Sequence, residues 1–365
     1  MQVDRSALLH NVRALRSLIP SGVALIAVVK GNAYGHGMKE VAAVLDPEVD
    51  GFQVDDIEEL RGLRPNTDKR ILVLGYVLNR DVLEAVGLGA ELTIYDVERL
   101  SAIAEAGRKL CIRPKVHLKI DALLGRQGVT PDGLATMLNA LSAFPQIDVV
   151  AAYAHFANIE DTTDLVHANA QIGVFHDCFR KARDAGFPNL GRHLSATSGL
   201  MTVEEGNDLV RLGIGLYGMY PSDPLALRFQ CLDLRPAMRW VSHLAQVKTL
   251  PAGHPVGYGL TFVTTRPSRV GIVPQGYADG YDRGISNIGE VLVRGIRRRV
   301  LGRIAMNMFA IDLGLDEDVL PEDEVVLLGS QGDERIDAEE LASALGTINY
   351  EITTRVNPLL PRSVV

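Results

Sequence analysis

The sequence predicts a (β/α)8 barrel followed by a mainly β domain, and two observations lead to this α/β fold class. Through the first two-thirds of the chain, short apolar runs alternate with amphipathic helical patterns, as expected for a barrel of parallel strands. After about residue 236 the helical patterns become scarce, and short β-rich segments are separated by Gly, Pro and Asp turns. A doubly wound sheet is the competing architecture, although it rarely needs so many repeats of this unit.

The candidate barrel strands share one property, which is a short run of branched apolar residues of the kind found in strands buried on both faces. These runs cover residues 24–29, 51–54, 71–75, 91–94, 115–120, 149–155, the region of His193, and 209–212. Helical patterns lie between them, for example at residues 56–63 and 96–103. The first of these begins with the acidic turn that helix N-termini favour.

The second part of the chain has a different secondary-structure pattern, with many short β segments and few helices. Its β segments cover residues 242–249, 270–273, 290–296, 298–303 and 324–328, and one helical pattern follows at residues 337–345. We therefore predict a barrel domain at residues 1–235, whose first few residues can pair with the second domain, and a mainly β domain at residues 236–365.

Composition excludes several classes of protein. The chain has 365 residues and a formal charge of −8, which argues against a nucleic-acid or anionic-membrane surface. The three cysteines, Cys111, Cys178 and Cys231, are far apart and lack metal-ligand spacing, so we expect a reduced compartment and no metal. The N-terminus does not resemble a signal peptide, and no run approaches the ~20 apolar residues of a membrane span. A cytoplasmic protein is the expectation.

Polar side chains recur where predicted barrel strands end. Lys30 follows the first strand, and Arg126, His155, His193 and Arg211 lie near the ends of later strands. Each residue alone is more often structural, but the carboxyl ends of barrel strands are where such folds place their sites. The sequence therefore predicts a catalytic site at that end of the barrel.

The loop after Lys30 favours a chemical role for this lysine. It is rich in glycine and asparagine, which predicts unusual backbone angles. A partly desolvated lysine at such a junction favours the neutral amine and suits Schiff-base chemistry. The segments 196–199 and 213–215 can offer backbone N–H groups and hydroxyls to a phosphate from adjacent late strands.

The segment Val28-Val29-Lys30-Gly31-Asn32-Ala33-Tyr34-Gly35-His36-Gly37 closely resembles the cofactor-lysine segment of alanine racemases, and the similarity extends over nearly the whole chain. The resemblance implies that Lys30 forms the aldimine with pyridoxal 5'-phosphate and is one of two acid/base groups. It implies phosphate contacts from Tyr34, Thr197, Gly213, Ile214 and Tyr350. A racemase needs two such groups because a proton leaves one face of a planar carbanion and another returns to the opposite face.

Further roles in the barrel follow from the same resemblance. Arg211 resembles the arginine that faces the pyridine nitrogen, and His155 the histidine that orients this arginine. Arg126 resembles the arginine near the phenolic oxygen of the cofactor, and it also contacts substrate. Lys119 matches a lysine that is carbamylated in some members.

In the second domain, residues 255–262 resemble the segment that carries the second catalytic base, here Tyr258. In the family this tyrosine reaches the active site of the partner subunit, which implies a homodimer with shared sites. Tyr277 resembles a residue at the substrate entrance, and Met306 one whose backbone meets the substrate carboxylate.

The chain departs from the family pattern at several positions. Leu212 replaces a usual proline, Ala196 a common asparagine, residues 122–124 a frequent Thr-Gly-Met, and Asn307 a usual aspartate. We expect the first three changes to affect packing and Asn307 to affect substrate range or rate. Alanine is the expected substrate, and serine or a larger or basic amino acid is the alternative.

Two other functions use a related barrel. Barrel-type amino-acid decarboxylases place an acidic residue at the pyridine nitrogen, and Arg211 argues against that function. A non-catalytic cofactor-binding protein lacks the second domain, whereas this chain has Tyr258 and Met306.

Overall fold

The chain divides into two units in the computed structural model, which describes residues 1–160, 164–203, 206–314 and 318–365. The first unit consists of Ser6–Gly31 and Val41–Arg235. The second consists of Met1–Arg5, Asn32–Glu40 and Pro236–Val365. The segment directly after Lys30 thus belongs to the second unit. The domain boundary at residue 235 stays a prediction.

Eight parallel strands form a nearly closed barrel in the first unit. In chain order, the two-residue strand β1 (Gln2–Val3) of the second unit precedes the barrel strands β2 (Ala24–Val28), β3 (Gly51–Val54), β4 (Arg70–Val73), β5 (Ala90–Ile94), β6 (Lys115–Lys119), β7 (Asp148–Tyr153), β8 (Gly191–His193) and β9 (Leu209–Leu212). Their order in the sheet is β8-β7-β6-β5-β4-β3-β2-β9. The backbone N–H of Asp208 donates to Arg192 O, and that of Arg211 to Ser195 O, which bridges β8 and β9. The predicted barrel is confirmed, and each predicted run overlaps one of its strands.

The barrel strands are mostly apolar because both of their faces are covered. Every residue of β3 and β5 is buried, and so are four of the five residues of β2. A strand with no solvent-facing side has no reason to alternate apolar with polar residues, which explains the continuous runs in the sequence.

Helices connect the strands in the usual alternation. The α-helical segments of residues 1–235 are Arg5–Arg16, Lys30–Tyr34, Met38–Leu45, Ile57–Leu63, Val82–Gly87, Leu100–Leu110, Leu134–Ser142, Val166–Asp184, Thr197–Thr202 and Asp223–Arg228. Asp56 caps the Ile57–Leu63 helix by accepting the N–H of Glu59, as the acidic start of that pattern predicts. The helix predicted at residues 96–103 begins later, because residues Val97–Arg99 form a 3-10 turn before it.

The second unit is mainly β, as predicted. Its strands are β1 together with β10 (Met238–His243), β11 (Gln246–Leu250), β12 (Pro255–Val256), β13 (Phe262–Val263), β14 (Ser268–Val273), β15 (Glu290–Val293), β16 (Ile296–Leu301), β17 (Phe309–Gly314), β18 (Glu324–Gln331), β19 (Glu334–Ile336) and β20 (Ser363–Val364). Ten of these strands form one sheet, and β12 pairs with β13. Two helices, Ala338–Leu345 and Asn349–Thr354, follow.

Two details of this unit differ from the sequence prediction. The single segment predicted at residues 242–249 is two strands, because the chain leaves β10 at His243 and starts β11 at Gln246. Strands β12, β13, β17, β19 and β20 and the helix Asn349–Thr354 were not predicted. The helix and most of these strands are short, and β17 carries Asp312 and Gly314 in an otherwise apolar run.

The described residues contain neither a helix of membrane-spanning character nor a cluster of metal-ligating side chains. None of the helices that the structure describes is long and apolar enough to cross a membrane. No group of three His, Cys, Asp or Glu side chains in the described ranges could hold a metal ion.

Candidate active site

Lys30 begins a left-handed helical turn. Strand β2 ends at Val28, one residue earlier than predicted, and the turn spans Lys30–Tyr34. Gly31, Asn32, Ala33 and Tyr34 have φ angles of 61°, 53°, 56° and 53°. A left-handed conformation costs a non-glycine residue about 1–2 kcal/mol, so neighbouring structure must hold three such residues in succession.

Glu59 holds the start of this turn. Its carboxylate accepts the backbone N–H of Gly31 at 2.6 Å and that of Asp55 at 2.8 Å. Burial raises the pKa of Glu59, and the nearby carboxylates of Asp56 and Asp55 act in the same direction against those two hydrogen bonds. Lys30 Nζ lies 3.4 Å from Asp55 Oδ1, and 44% of the Lys30 side chain is exposed. The amine is therefore accessible, and its ion pair is weak.

The residues after the turn pack against the C-terminal helix of the second unit. A Cβ atom at Gly35 would lie 1.9 Å from Thr353 O, so only glycine fits there. Arg362 donates to Gly35 O at 2.9 Å. The rings of Tyr34 and Tyr350 lie 6.0 Å apart. The fold thus brings together these two predicted phosphate contacts.

The barrel end gathers most of the other predicted residues. Lys119 is 4% exposed; burial first, and then Arg126, Arg211 and Lys30, lower its pKa to about 8. The pKa of His155 falls to about 3, first because of burial and then because of the same cations and Lys119. These mutual effects show that the five side chains share one region with a strong excess of positive charge.

Arg211 is buried and rigidly held. Its terminal nitrogens donate to the carbonyl oxygens of His193, Ala154 and Leu194, each at 3.1 Å, and to Nδ1 of His193. Burial lowers its pKa to about 10, so the guanidinium still carries its charge at neutral pH. These hydrogen bonds start from the terminal nitrogens and leave Nε for another acceptor.

Thr197 organises the glycine segment after β9. Its hydroxyl accepts the backbone N–H of Gly213 at 3.2 Å and that of Gly215 at 3.5 Å. A Cβ atom at Gly215 would lie 2.7 Å from Thr197 Cγ2 and 3.0 Å from Leu15 Cδ1. The close approach of these segments therefore requires glycine, and Ile214 is buried between the two glycines.

Arg126 lies in the loop after β6. Asp121 Oδ1 accepts the N–H groups of Leu124 and Gly125, both at 3.0 Å, which closes the loop. Leu123 is half-exposed and has a φ of 63°. Its departure from the family pattern therefore strains the backbone more than it alters packing.

The second unit contains a cleft of about 600 Å³, lined by Tyr258, Tyr277, Gly280, Asp282, Arg283, Ile304, Ala305 and Arg355. Tyr258 is 73% exposed and starts the short turn Tyr258–Leu260. Gly257 and Gly259 on either side have φ values of 73° and 72°. Tyr258 and Tyr277, two of the predicted site tyrosines of this unit, thus lie around one cleft.

Met306 lies beside the turn that carries Tyr277. The N–H of Tyr277 donates to Ala305 O at 3.1 Å and that of Ala278 to Met306 O at 3.0 Å. A Cβ atom at Gly276 would lie 2.2 Å from Ala305 O, so glycine is required. Met306 and Asn307 are exposed.

Sequence reasoning missed three acidic or basic residues near the site, which are Glu59, Glu91 and His117. Glu59 lies in a helix start and looked like an ordinary acidic turn. Glu91 and His117 are buried at the centre of the barrel. An ionisable residue inside an otherwise apolar strand was the available signal, since burying it needs a specific partner.

The barrel end fits a phosphate-bearing cofactor that reacts with an amine. The cluster of Lys30, Lys119, Arg126 and Arg211 attracts an anion, and an accessible lysine amine lies among them. At the end of β9, Thr197 and the Gly213–Gly215 segment place a hydroxyl and backbone N–H groups together, which are the group types that a phosphate needs.

Comparisons with known proteins agree over both units. The family model "Alanine racemase, N-terminal domain" matches residues 3–221, and "Alanine racemase, C-terminal domain" matches residues 237–364. The chain is 37% identical to the alanine racemase of Desulfosudis oleivorans over 99% of this chain and 95% of that protein. It is 38% identical to that of Syntrophobacter fumaroxidans, over 96% and 93% respectively. The crystal structure of the alanine racemase from D-cycloserine-producing Streptomyces lavendulae matches with a TM-score of 0.94 and 36% identity, over 100% of this chain and 96% of that one.

Proposed function

Because this chain belongs to the alanine racemase family of pyridoxal-phosphate-dependent isomerases, we propose that it interconverts L-alanine and D-alanine. The observation that carries the proposal is the set of Lys30, Lys119, Arg126, His155 and Arg211 at one end of the barrel. Bound pyridoxal phosphate supplies an electron sink that acidifies the Cα–H bond of an amino acid. The protein supplies binding, orientation and proton transfer.

Lys30 and Tyr258 are the proposed proton-transfer groups. The Lys30 amine takes or returns a proton at Nζ on one face of the amino acid, and the Tyr258 hydroxyl does so at Oη on the other. The exposure of both side chains supports this role, since each is accessible to a ligand. Tyr34, Thr197, Gly213, Ile214 and Tyr350 would hold the phosphate.

Arg211 is proposed to face the ring nitrogen of the cofactor. A guanidinium with a pKa of about 10 keeps its proton at neutral pH, so it donates a hydrogen bond without transferring the proton. By withholding its proton from the ring nitrogen, Arg211 would limit the electron demand of the bound cofactor and so its side reactions. His155, kept neutral by its surroundings, is proposed to orient Arg211.

Lys119 is proposed to carry a carbamate, which forms when its neutral amine attacks dissolved CO2 and the new N–C bond is accompanied by loss of a proton to solvent. A carbamate forms only from a neutral amine, and burial beside Arg126 and Arg211 favours that form. The modification would replace a buried cation with an anion between two arginines, and this reversal of charge would hold Arg126 in place for the cofactor and the substrate.

The active form is proposed to be a homodimer in which Tyr258 of one copy completes the active site in the barrel of the other. The exposure of Tyr258 supports this, because 73% of the residue remains accessible in the single chain. Tyr277 is proposed to line the entrance, and the backbone of Met306 to contact the substrate carboxylate.

The test is chiral chromatography of L-Ala, L-Ser, L-Lys and L-Arg after incubation with the purified protein and pyridoxal phosphate. D-alanine should appear fastest. Faster formation of D-serine, D-lysine or D-arginine would change the substrate and leave the proton-transfer roles. Formation of an amine, or of no product, would instead favour a decarboxylase or a non-catalytic binder.

A matched pair of variants tests the assignment of Lys30. Lys30→Ala should remove both the visible absorbance of the bound cofactor and the racemase activity. Lys39→Ala is the control, because Lys39 is exposed and lies outside the site. Retention of absorbance and activity in Lys30→Ala would contradict the proposal.

A further inference from the structure

A chain of buried ionisable side chains crosses the interior of the barrel. Nδ1 of His193 accepts a hydrogen bond from Arg211, and Nε2 of His193 lies 2.9 Å from Nδ1 of His117. Nε2 of His117 lies 2.9 Å from Glu91 Oε2. Both histidines are 0% exposed, and Glu91 is 3% exposed. The three residues lie on β8, β6 and β5, and we call them the core relay.

The two ends of the core relay determine the direction of every hydrogen bond within it. A carboxylate only accepts and a guanidinium only donates. Glu91 therefore requires the proton of His117 on Nε2, which leaves Nδ1 as the acceptor for His193. His193 must then carry its proton on Nε2, which leaves its Nδ1 as the acceptor for Arg211. Two neutral imidazoles satisfy every donor and acceptor of the chain.

Any added proton disrupts this arrangement. A protonated His193 would place an Nδ1–H against the N–H of Arg211, and a protonated His117 would oppose the N–H of His193. Burial lowers the pKa of both histidines, and Arg211 contributes to both shifts. For Glu91, burial alone would raise the pKa, but hydrogen bonds from His117 and Arg70 outweigh it and hold the value at about 2.

At its Glu91 end, the core relay reaches the rim of the barrel where the strands begin. This rim is opposite to the one that carries the predicted catalytic residues of the barrel. Arg70 donates to Glu91 Oε2, with its Nε at 3.2 Å, and Lys115 Nζ lies 3.8 Å from Glu91 Oε1. Arg70 and Lys115 are the first residues of β4 and β6, and both reach solvent. Tyr153 stacks on the His193 ring at 4.7 Å and donates to or accepts from Thr93 at 3.0 Å. An ion pair at one rim is thus joined to Arg211 near the other.

We propose that Glu91, His117 and His193 are positioning residues that keep Arg211 charged and fixed in orientation, so that its Nε–H faces the ligand at the barrel end. This inference rests on the proposed function of Arg211. Without the carboxylate, the hydrogen bonds of the core relay no longer have one fixed direction, because a glutamine at residue 91 can either accept or donate. When the hydrogen bonds run in the opposite direction, Nδ1 of His193 carries a proton. This N–H faces an N–H of Arg211, and the repulsion displaces the Arg211 side chain.

The first test is the tautomeric state of the histidines in holoenzyme labelled with ¹⁵N-histidine. Signals among the nine histidines are assigned by the variants His117→Gln and His193→Gln. Both residues should be neutral with the proton on Nε2 from about pH 6 to 9. Titration of either ring in that range, or a proton on Nδ1, would overturn the proposal. This readout needs no racemase activity, so it separates failure of the core relay from failure of the proposed function.

The second test compares Glu91→Gln with Asn11→Leu. Asn11 is equally buried in the same unit and bonds to Leu216 O and Arg235 O, outside the core relay. Both variants should lower the melting temperature. Only Glu91→Gln should yield mixed histidine tautomers and a loss of kcat of ~10-fold, with KM changed by less than ~2-fold, as for partners that orient active-site groups. Unchanged tautomers and kcat in Glu91→Gln would mean that Glu91 is merely structural and would contradict the proposal.

Discussion

Lys30 and Lys119 are residues of the same type with different burial and different neighbouring charges. Lys30 is nearly half-exposed and pairs with the partly exposed Asp55. Lys119 is almost fully buried and faces three cations. Burial and these charges lower its pKa to about 8, whereas the ordinary value is 10.5. The two amines therefore suit different chemistry at the same end of the barrel.

Carbamylation of Lys119 is testable by ¹³C NMR of protein equilibrated with ¹³C-bicarbonate. A carbamate signal should be present in the native protein and in Lys109→Arg, a variant of an exposed lysine, and absent in Lys119→Arg. The neutral fraction of the amine rises as pH increases through about 8, so the signal should grow over that interval. A signal that persists in Lys119→Arg would assign the carbamate to another residue.

The lowered pKa of Lys119 also makes the free energy of unfolding depend on pH. The folded-state pKa of Lys119 lies below the unfolded value, so the unfolded chain binds more protons between about pH 8 and 10.5. The contribution of the unmodified Lys119 to the free energy of unfolding therefore increases with pH across this interval. Below about pH 8 it is a fixed penalty.

Tyr258→Phe should slow proton exchange from one enantiomer of alanine far more than from the other, because Lys30 still serves its own face. Loss of a general acid/base group typically costs ~10²–10⁴-fold in rate. Exchange of the Cα proton of L- and D-alanine in deuterated water, followed by proton NMR, measures each face separately. Tyr76→Phe is the control, an exposed tyrosine of the barrel unit. Equal slowing of both enantiomers would argue against Tyr258 as the second base.

At the scale of elements, the left-handed turn Lys30–Tyr34 depends on the segments that hold it. Glu59 binds its first amide, and the helix Asn349–Thr354 leaves no space for a side chain at Gly35. Three non-glycine residues at positive φ are unfavourable by themselves. The strain supports the view that this turn serves the site, since stability alone would not select it.

Gly35→Ala and Gly22→Ala form a matched pair that separates backbone strain from steric clash. Both glycines have a φ of 86°, but a Cβ at Gly22 meets nothing within 4 Å, whereas one at Gly35 lies 1.9 Å from Thr353 O. Gly22→Ala should cost ~1–2 kcal/mol of unfolding free energy, and Gly35→Ala should exceed ~4 kcal/mol. Denaturant unfolding measures both values. Similar losses in the two variants would show that Thr353 can move aside.

The elements that the sequence predicted well are those marked by one continuous, mainly apolar run of residues. Barrel strands such as β3 and β5 are buried on both faces, and their mainly apolar runs were visible without any knowledge of neighbours. The division between β10 and β11 and the existence of β17 were not visible, because their pairing partners lie far along the chain. Local periodicity does not record such pairings.

At the scale of the whole molecule, the proposed chemistry draws on residues of both units. Lys30 belongs to the first, and Tyr34, Tyr258 and Tyr350 belong to the second. A homodimer that combines Lys30 of one copy with Tyr258 of the other would make neither copy active alone. This arrangement predicts a specific behaviour of mixed variants.

Lys30→Ala and Tyr258→Phe, each inactive alone, should regain activity when mixed after dissociation and reassociation. Half of the random dimers are mixed, and one of their two sites has both native residues, so about one-quarter of the native activity is expected. Racemase assays of the mixture, with each variant alone as the control, measure this. Lack of recovery despite confirmed subunit exchange would show that Tyr258 does not act across copies.

The sequence by itself determined the barrel, the mainly β second part and the family, because these follow from continuous apolar runs and from a motif of consecutive residues around Lys30. Only the tertiary structure joined Glu91, His117 and His193 to Arg211, and only it placed residues 32–40 with the C-terminal part of the chain. Hydrogen-bond partners, burial and the pKa values they set depend on distances between residues far apart in sequence. A linear pattern identifies the side chains that can ionise, while their neighbours in space decide which of them do.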